Sequence, residues 1–279
     1  MGNSLTFCLS ICLALGLVFA SCNQQPEYYA YTFTPEERID VAKILAHRHY
    51  QGSPEEQMTF RYGLAFDSTN ASLHRERGIA WAKRGLKSHW RGYDDAARLS
   101  PEFWLGYRAY MHLYFNRDYK RAIEDCDVLD ALTPGFTDYP QSTSVHFMRG
   151  VANMQLGEYQ KGLDWFDLWL EEEAANIELK YLGPPVWQYR AICLDGLGRS
   201  EEAEQSLRKG YEVCNGESTE LSYYLGRRHE ARGEKAKAAE YYQLALAQLK
   251  KGYSFDRPYV EEFWEVEREE IEDRIVGLD

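Results

Sequence analysis

Along this chain, helix starts and helix stops alternate at short intervals from Thr34 onward, and no long stretch shows the apolar–polar alternation of a strand. Thr34-Pro35-Glu36-Glu37 supplies an N-cap, a proline at the first helical position and a glutamate placed for a capping box. Ser53-Pro54-Glu55-Glu56 repeats the device. Gly52, Gly85, Gly135, Gly157, Gly198, Gly216, Gly233 and Gly252 mark stops. The pattern predicts helices of about 12–16 residues joined by short turns. A last helix is expected from about Arg257 to Ile275, within an acidic capping segment 256–279. It would carry Val260, Phe263, Trp264, Ile271 and Ile275 on one face and glutamates on the other.

The stops fall inside a repeating unit. Gly150, Ala191 and Gly226 are small residues on a first helix, and each is followed seven residues later by a turn glycine: Gly157, Gly198 and Gly233. Five residues on stands another small residue: Gly162, Ala203 and Ala238. A bulky residue follows at Phe166, Leu207 and Tyr242, and then Trp169, Gly210 and Ala245. Small residues at these places let two helix backbones cross closely, while the bulky one fills the gap to the next hairpin. The unit resembles the tetratricopeptide repeat, a helix–turn–helix of 34 residues. The resemblance implies an all-α, right-handed α-solenoid.

Weaker copies extend the array upstream. Asp118 to Cys126, closed by Pro134, fits the second half of a unit, although Tyr110 stands where its first helix should be small. Gly78, Trp81, Gly85, Tyr93, Ala96 and Pro101 form another copy, and Ala46 to Asn70 the faintest. The total is about six hairpins over residues 34–255. Extra length at Gly135–Ser144 and Leu179–Pro185 reads as longer loops.

The N-terminus has a different character. Leu5 to Ala20 is a mostly apolar run of sixteen residues, short for a spanning helix and suited to the core of a secretory signal. It ends in Phe19-Ala20-Ser21-Cys22, which resembles the lipobox of bacterial lipoproteins, with Phe19 where leucine is usual. The resemblance implies a signal peptide over 1–21, cleavage before Cys22 and acyl chains, palmitate among them, on that cysteine. The protein would then be membrane-anchored in the bacterial cell envelope, facing the periplasm or the cell surface, with residues 22–33 as tether. A plain secretory signal or an uncleaved anchor are the alternatives. Met1-Gly2-Asn3-Ser4-Leu5-Thr6 also fits a loose myristoylation pattern, but that signal ordinarily precedes a polar sequence. Cys126, Cys193 and Cys214 lie in helical stretches and read as buried small hydrophobes, with a Cys193–Cys214 bridge left open.

Composition narrows the function. Of the residues, 44% are hydrophobic and 14% aromatic, including 21 tyrosines, enough to build a core. The net charge is −12; residues 256–279, with ten acidic and three basic side chains, supply −7 of it. An acidic chain without a long basic run is a poor match to nucleic acid. His229-Glu230 begins like a zinc-protease helix, but Gly233 stands where the second histidine is needed. Asp125, Asp127 and Asp130 match a calcium loop in composition only. His47 and His49 are two apart and would leave a helix on different faces. No catalytic grouping, metal site or cofactor is expected.

In the resembling family the first helices line a concave groove that binds extended protein segments. Carried onto this chain, the groove positions are Trp104, Tyr107, Met111, Tyr114 and Phe115 in the third unit. In the fourth they are Ser144, Phe147, Val151, Met154 and Gln155. This aromatic lining suggests a protein-binding scaffold or adaptor with an unidentified protein partner. A glycan or small-ligand binder, stacking sugar rings on an aromatic helical-repeat surface, is the alternative.

Overall fold

The computed structural model describes residues 33–86, 90–176, 183–255 and 260–278. The expected signal peptide, Cys22 and all but the last residue of the tether lie outside them.

Among the described residues thirteen α-helices follow one another: α1 (Pro35–Ala46), α2 (Pro54–Phe66), α3 (Ala71–Lys83), α4 (Arg91–Leu99), α5 (Pro101–Met111), α6 (Tyr119–Leu132), α7 (Val145–Gln155), α8 (Tyr159–Asn176), α9 (Pro184–Gly196), α10 (Ser200–Val213), α11 (Thr219–Ala231), α12 (Lys235–Lys251) and α13 (Arg268–Gly277). No strand is present among the described residues. The first twelve pair into six antiparallel hairpins, and successive hairpins pack side by side. From α5 onward the first helices α5, α7, α9 and α11 also touch one another in order, so they form one face.

Local chemistry sets the helix ends. Thr34 Oγ1 accepts from the Glu37 amide at 3.2 Å, and Glu37 Oε2 accepts from the Thr34 amide at 2.8 Å, the reciprocal box that the sequence predicts. Ser53 caps α2, Asn70 caps α3, Asp118 caps α6 and Ser218 caps α11. All eight glycines read as stops have positive φ, Gly157 at 76°. The loop between α6 and α7, read as extra length, holds a short 3₁₀ turn at Pro140–Ser142.

Within the hairpins the small–bulky pairing is a direct contact. A Cβ on Gly150 would stand 2.5 Å from the Phe166 ring, and one on Gly226 would stand 2.8 Å from the Tyr242 ring. Gly78 faces Tyr93 in the same way at 3.1 Å. Each ring lies over the bare backbone of its partner helix, and Phe166 and Tyr242 are wholly buried. A run of arginines ties one hairpin to the one before. Arg108 bonds Asp94 of α4 at 2.9 Å, Arg149 bonds Asp127 of α6 at 2.8 Å, and Arg190 bonds Asp167 of α8 at 2.6 Å. Arg232 pairs with Glu204 of α10.

The C-terminal segment differs from expectation. Residues 260–267 are not helical, and α13 begins only at Arg268. Trp264 takes a left-handed backbone at φ 58° and is 49% exposed. A helix here would set Glu261 above Glu265, a like-charged i,i+4 pair. Instead, the carbonyls of residues 261, 263 and 264 accept from side chains of the array, so tertiary contacts outweigh helix propensity. The short α13 does cover the end of the array. Ile271 is wholly buried with Tyr223, Ala238 and Tyr242, while Glu269, Glu272 and Asp273 face solvent.

Two glycine substitutions should separate the contributions. Gly150→Ala gains helix propensity of about 1 kcal/mol but overpacks against Phe166, which costs about 1–3 kcal/mol. A net loss is expected in urea unfolding, relieved when Phe166→Leu is added. Gly157→Ala has open space around it and should lose about 1–2 kcal/mol from its left-handed backbone alone, with no relief from Phe166→Leu.

Candidate functional site

The third hairpin departs from the repeat, and the departures coincide. In hairpins four and six the small residue precedes the buried ring by sixteen positions, as Gly150 precedes Phe166 and Gly226 precedes Tyr242. The same register places Tyr110 opposite Cys126: the large and small residues have exchanged helices, and Cys126 is wholly buried. The turn glycine should follow seven residues after Tyr110, and Arg117 stands there at φ 53°. A left-handed arginine costs on the order of 1–3 kcal/mol, and such outliers persist where surrounding contacts hold them. Just before it, His112–Asn116 forms a π-helical turn, which inserts a residue into the end of α5.

The C-terminal segment docks on this irregular turn. Arg117 Nη2 donates to the Glu261 carbonyl at 2.7 Å, and its guanidinium lies 4.1 Å from the centre of the Phe263 ring. The Glu261 carboxylate stands 3.6 Å from the same Nη2. Phe263 is 6% exposed, with its ring 5.6 Å from Tyr114 and 6.1 Å from Tyr119. From α9, Tyr189 Oη donates to the Phe263 carbonyl at 3.0 Å, and Gln188 Nε2 donates to the Trp264 carbonyl at 2.9 Å. Three side-chain donors therefore hold three backbone carbonyls, and one apolar side chain is inserted among aromatic rings.

The expected groove residues divide. Tyr114 meets the docked segment. Phe115 is half-buried and faces Tyr110 at 6.4 Å. Tyr107 is buried against Tyr93 at 5.6 Å, with the Arg75 guanidinium 4.4 Å from its ring. Trp104 is half-buried and meets Tyr107 edge-on, with Arg75 5.4 Å from it. Phe147 packs on Phe166, Trp169 and Tyr189. Met111, Val151 and Met154 are core residues rather than surface lining, because hairpins pack against both neighbours and leave these positions no solvent. Ser144 is buried as a helix cap. Arg117, Gln188 and Tyr189 were not singled out from the sequence. The signal for Arg117 was an arginine in the glycine register; no local signal marks the other two.

The remaining chemistry is structural. Asp125 accepts from Arg108 at 2.7 and 2.8 Å, and Asp127 and Asp130 pair with Arg149. His229 bonds Glu234 and stacks on Tyr241. Cys193 and Cys214 are not bridged, and burial pushes their thiols up to about 12 and about 11. Such thiols stay protonated at neutral pH. Among the described residues no group of three or more His, Cys, Asp and Glu is placed to hold a metal ion, and no helix is long and apolar enough to cross a membrane.

His112, in the π-helical turn, stacks on Trp90 at 4.9 Å and is 2% exposed. Burial lowers its pKa below the ordinary 6.5, with Asp125 opposing and Arg108 adding to the shift. The folded chain therefore favours the neutral ring. This contribution to stability is complete above pH 6.5 and is lost as pH falls through 6.5 toward the lower folded value. Urea unfolding of wild type and His112→Phe at pH 8 and pH 5 should show a smaller loss on acidification in the variant.

No family model and no curated protein matches this sequence. Solved structures do match its fold. PilW, a widely conserved type IV pilus biogenesis factor, is 13% identical with a TM-score of 0.57, covering 76% of this chain and 94% of its own. PilF of Pseudomonas aeruginosa is 17% identical with a TM-score of 0.56, covering 78% and 93%. A tetratricopeptide repeat protein from Parabacteroides merdae is 14% identical with a TM-score of 0.52, covering 90% and 87%. With six antiparallel hairpins, three of which seat a second-helix ring over a bare first-helix glycine, the chain folds as a tetratricopeptide-repeat array.

Proposed function

We propose that this protein is a scaffold that holds a protein segment along its first-helix face, anchored in a bacterial envelope membrane through lipid on Cys22. The observation that carries the reading is the docked stretch 260–264. The face already holds non-helical polypeptide by its backbone carbonyls and one aromatic side chain, the means by which repeat arrays read extended segments. Beyond that stretch, the half-buried Arg75 and Trp104 of hairpins two and three offer a guanidinium on an aromatic face, a pairing common in binding hot spots. The array's likeness to pilus biogenesis factors is in keeping with work in the envelope. Acyl chains would confine the array to the membrane plane and raise the effective concentration of an anchored partner.

Two measurements test this reading. The full chain extracted in detergent should retain a specific protein from solubilised envelope, and a folded Arg75→Ala/Trp104→Ala bait should lose it. Equal retention by both baits would remove this face from the adaptor role. Cys22→Ala should abolish palmitate labelling and move the chain from the membrane to the soluble fraction with an unchanged circular dichroism spectrum. A variant that stays membrane-bound would refute the lipid anchor.

A further inference from the structure

The third hairpin gives up the regular unit at three positions, and two of them, Arg117 and the π-helical turn that carries Tyr114, touch the docked segment. Tyr110 and Cys126 exchange the large and small roles, His112–Asn116 gains a π-helical turn, and Arg117 replaces the turn glycine. Packing within the hairpin does not require an arginine at the turn. The five other hairpin turns carry glycines with positive φ: Gly52, Gly85, Gly157, Gly198 and Gly233. What the arginine adds is outward. Its side chain, 29% exposed, reaches residues 144 positions away in sequence. The left-handed backbone at 117 is the feature that calls for an explanation, and the contact with the chain's own Glu261 and Phe263 supplies one.

The seat has a defined chemistry. Arg117, Tyr189 and Gln188 address main-chain carbonyls, which any extended segment presents. Selectivity comes from two side chains: a carboxylate near Arg117, filled here by Glu261, and a ring between Tyr114, Tyr119 and the guanidinium, filled here by Phe263. The carboxylate sits two residues before the ring. Trp264, immediately after, is half exposed and contributes through its carbonyl.

We propose that the first-helix face between the π-helical turn of hairpin three and α9 is a docking site for an extended protein segment carrying a carboxylate two residues before a phenylalanine. Residues 260–264 occupy it in cis until such a segment displaces them. This rests on the adaptor reading and narrows it by naming the partner's chemistry. Because the cis segment competes, the intact chain takes up an added segment only in proportion to the fraction of molecules whose seat is open.

The probe is a fluorescein-labelled peptide of this chain's residues 258–266, followed by anisotropy against the full chain in detergent. Phe263→Ala empties the ring site while leaving α13 in place. This variant should bind the peptide roughly tenfold or more tighter than the intact chain. Adding Arg117→Gly, which restores the regular turn, should abolish the gain, and a peptide with alanine at the phenylalanine should not bind. If Phe263→Ala fails to fold, Glu261→Arg serves instead: its side chain is 85% exposed, and the reversed charge repels Arg117. Equal affinity of intact and folded opened chains, or binding indifferent to Arg117→Gly, overturns the proposal. So does a dimer of the intact chain that Phe263→Ala converts to monomer, since the segment would then be exchanged between copies. A partner captured through Arg75 and Trp104 without peptide binding leaves the adaptor reading standing and removes this one. Peptide binding without a partner captured through Arg75 and Trp104 sustains this docking site and removes those two residues from the binding surface.

Discussion

The array depends on the contact between a bare helix backbone and an aromatic ring. Gly150 beneath Phe166 and Gly226 beneath Tyr242 bring the two helices of a hairpin closer than any pair of ordinary side chains would. That proximity buries the ring completely and fixes the crossing on which the next hairpin packs. Gly210 repeats the logic within hairpin five, where its missing Cβ leaves room for Trp187, 2.5 Å from the position it would take. The fold thus rests on steric absence at a few sites and on large rings opposite them.

The charges have another part. Arg108, Arg149 and Arg190 recur every 41 residues, and each reaches an acid on the helix before it. Arg149 is 2% exposed, with Trp165 beneath its guanidinium at 4.4 Å. The carboxylates these arginines reach, Asp94, Asp127 and Asp167, are about half exposed, and ion pairs with a solvated partner return little net stability. Their contribution is register: a hairpin shifted by one turn would strand a guanidinium away from its carboxylate. The three aspartates whose composition matched a calcium loop belong to this ladder.

The repeat was legible because its signals are local. Turn glycines, caps and the small–bulky spacing lie within one hairpin, so a sequence reader meets them together. The groove was less legible. The family's positions led to Met111, Val151 and Met154, which the neighbouring hairpins bury, since a degenerate unit shifts which side chains reach the face. In the C-terminal stretch Val260, Phe263, Trp264, Ile271 and Ile275 share helical spacing, which predicts a helix. What overrides that spacing is Arg117, Gln188 and Tyr189, some 70 to 140 residues away, and no local pattern carries such a contact.

The docked segment also changes what kind of object the solenoid is. An open array is nearly one-dimensional: each unit answers only to its neighbours, and its ends can fray independently. Here the bond from Arg117 to residue 261 ties hairpin three to the stretch that leads into the cap on hairpin six, so the intervening units form a closed ring of contacts. Opening any one of them loosens the ring as a whole, and the central hairpins should unfold as a cooperative block rather than by peeling. The ring also cannot close until residues 260–264 have been synthesised. During translation the first-helix face therefore stands open, and the nascent array passes through its most receptive state before that segment arrives.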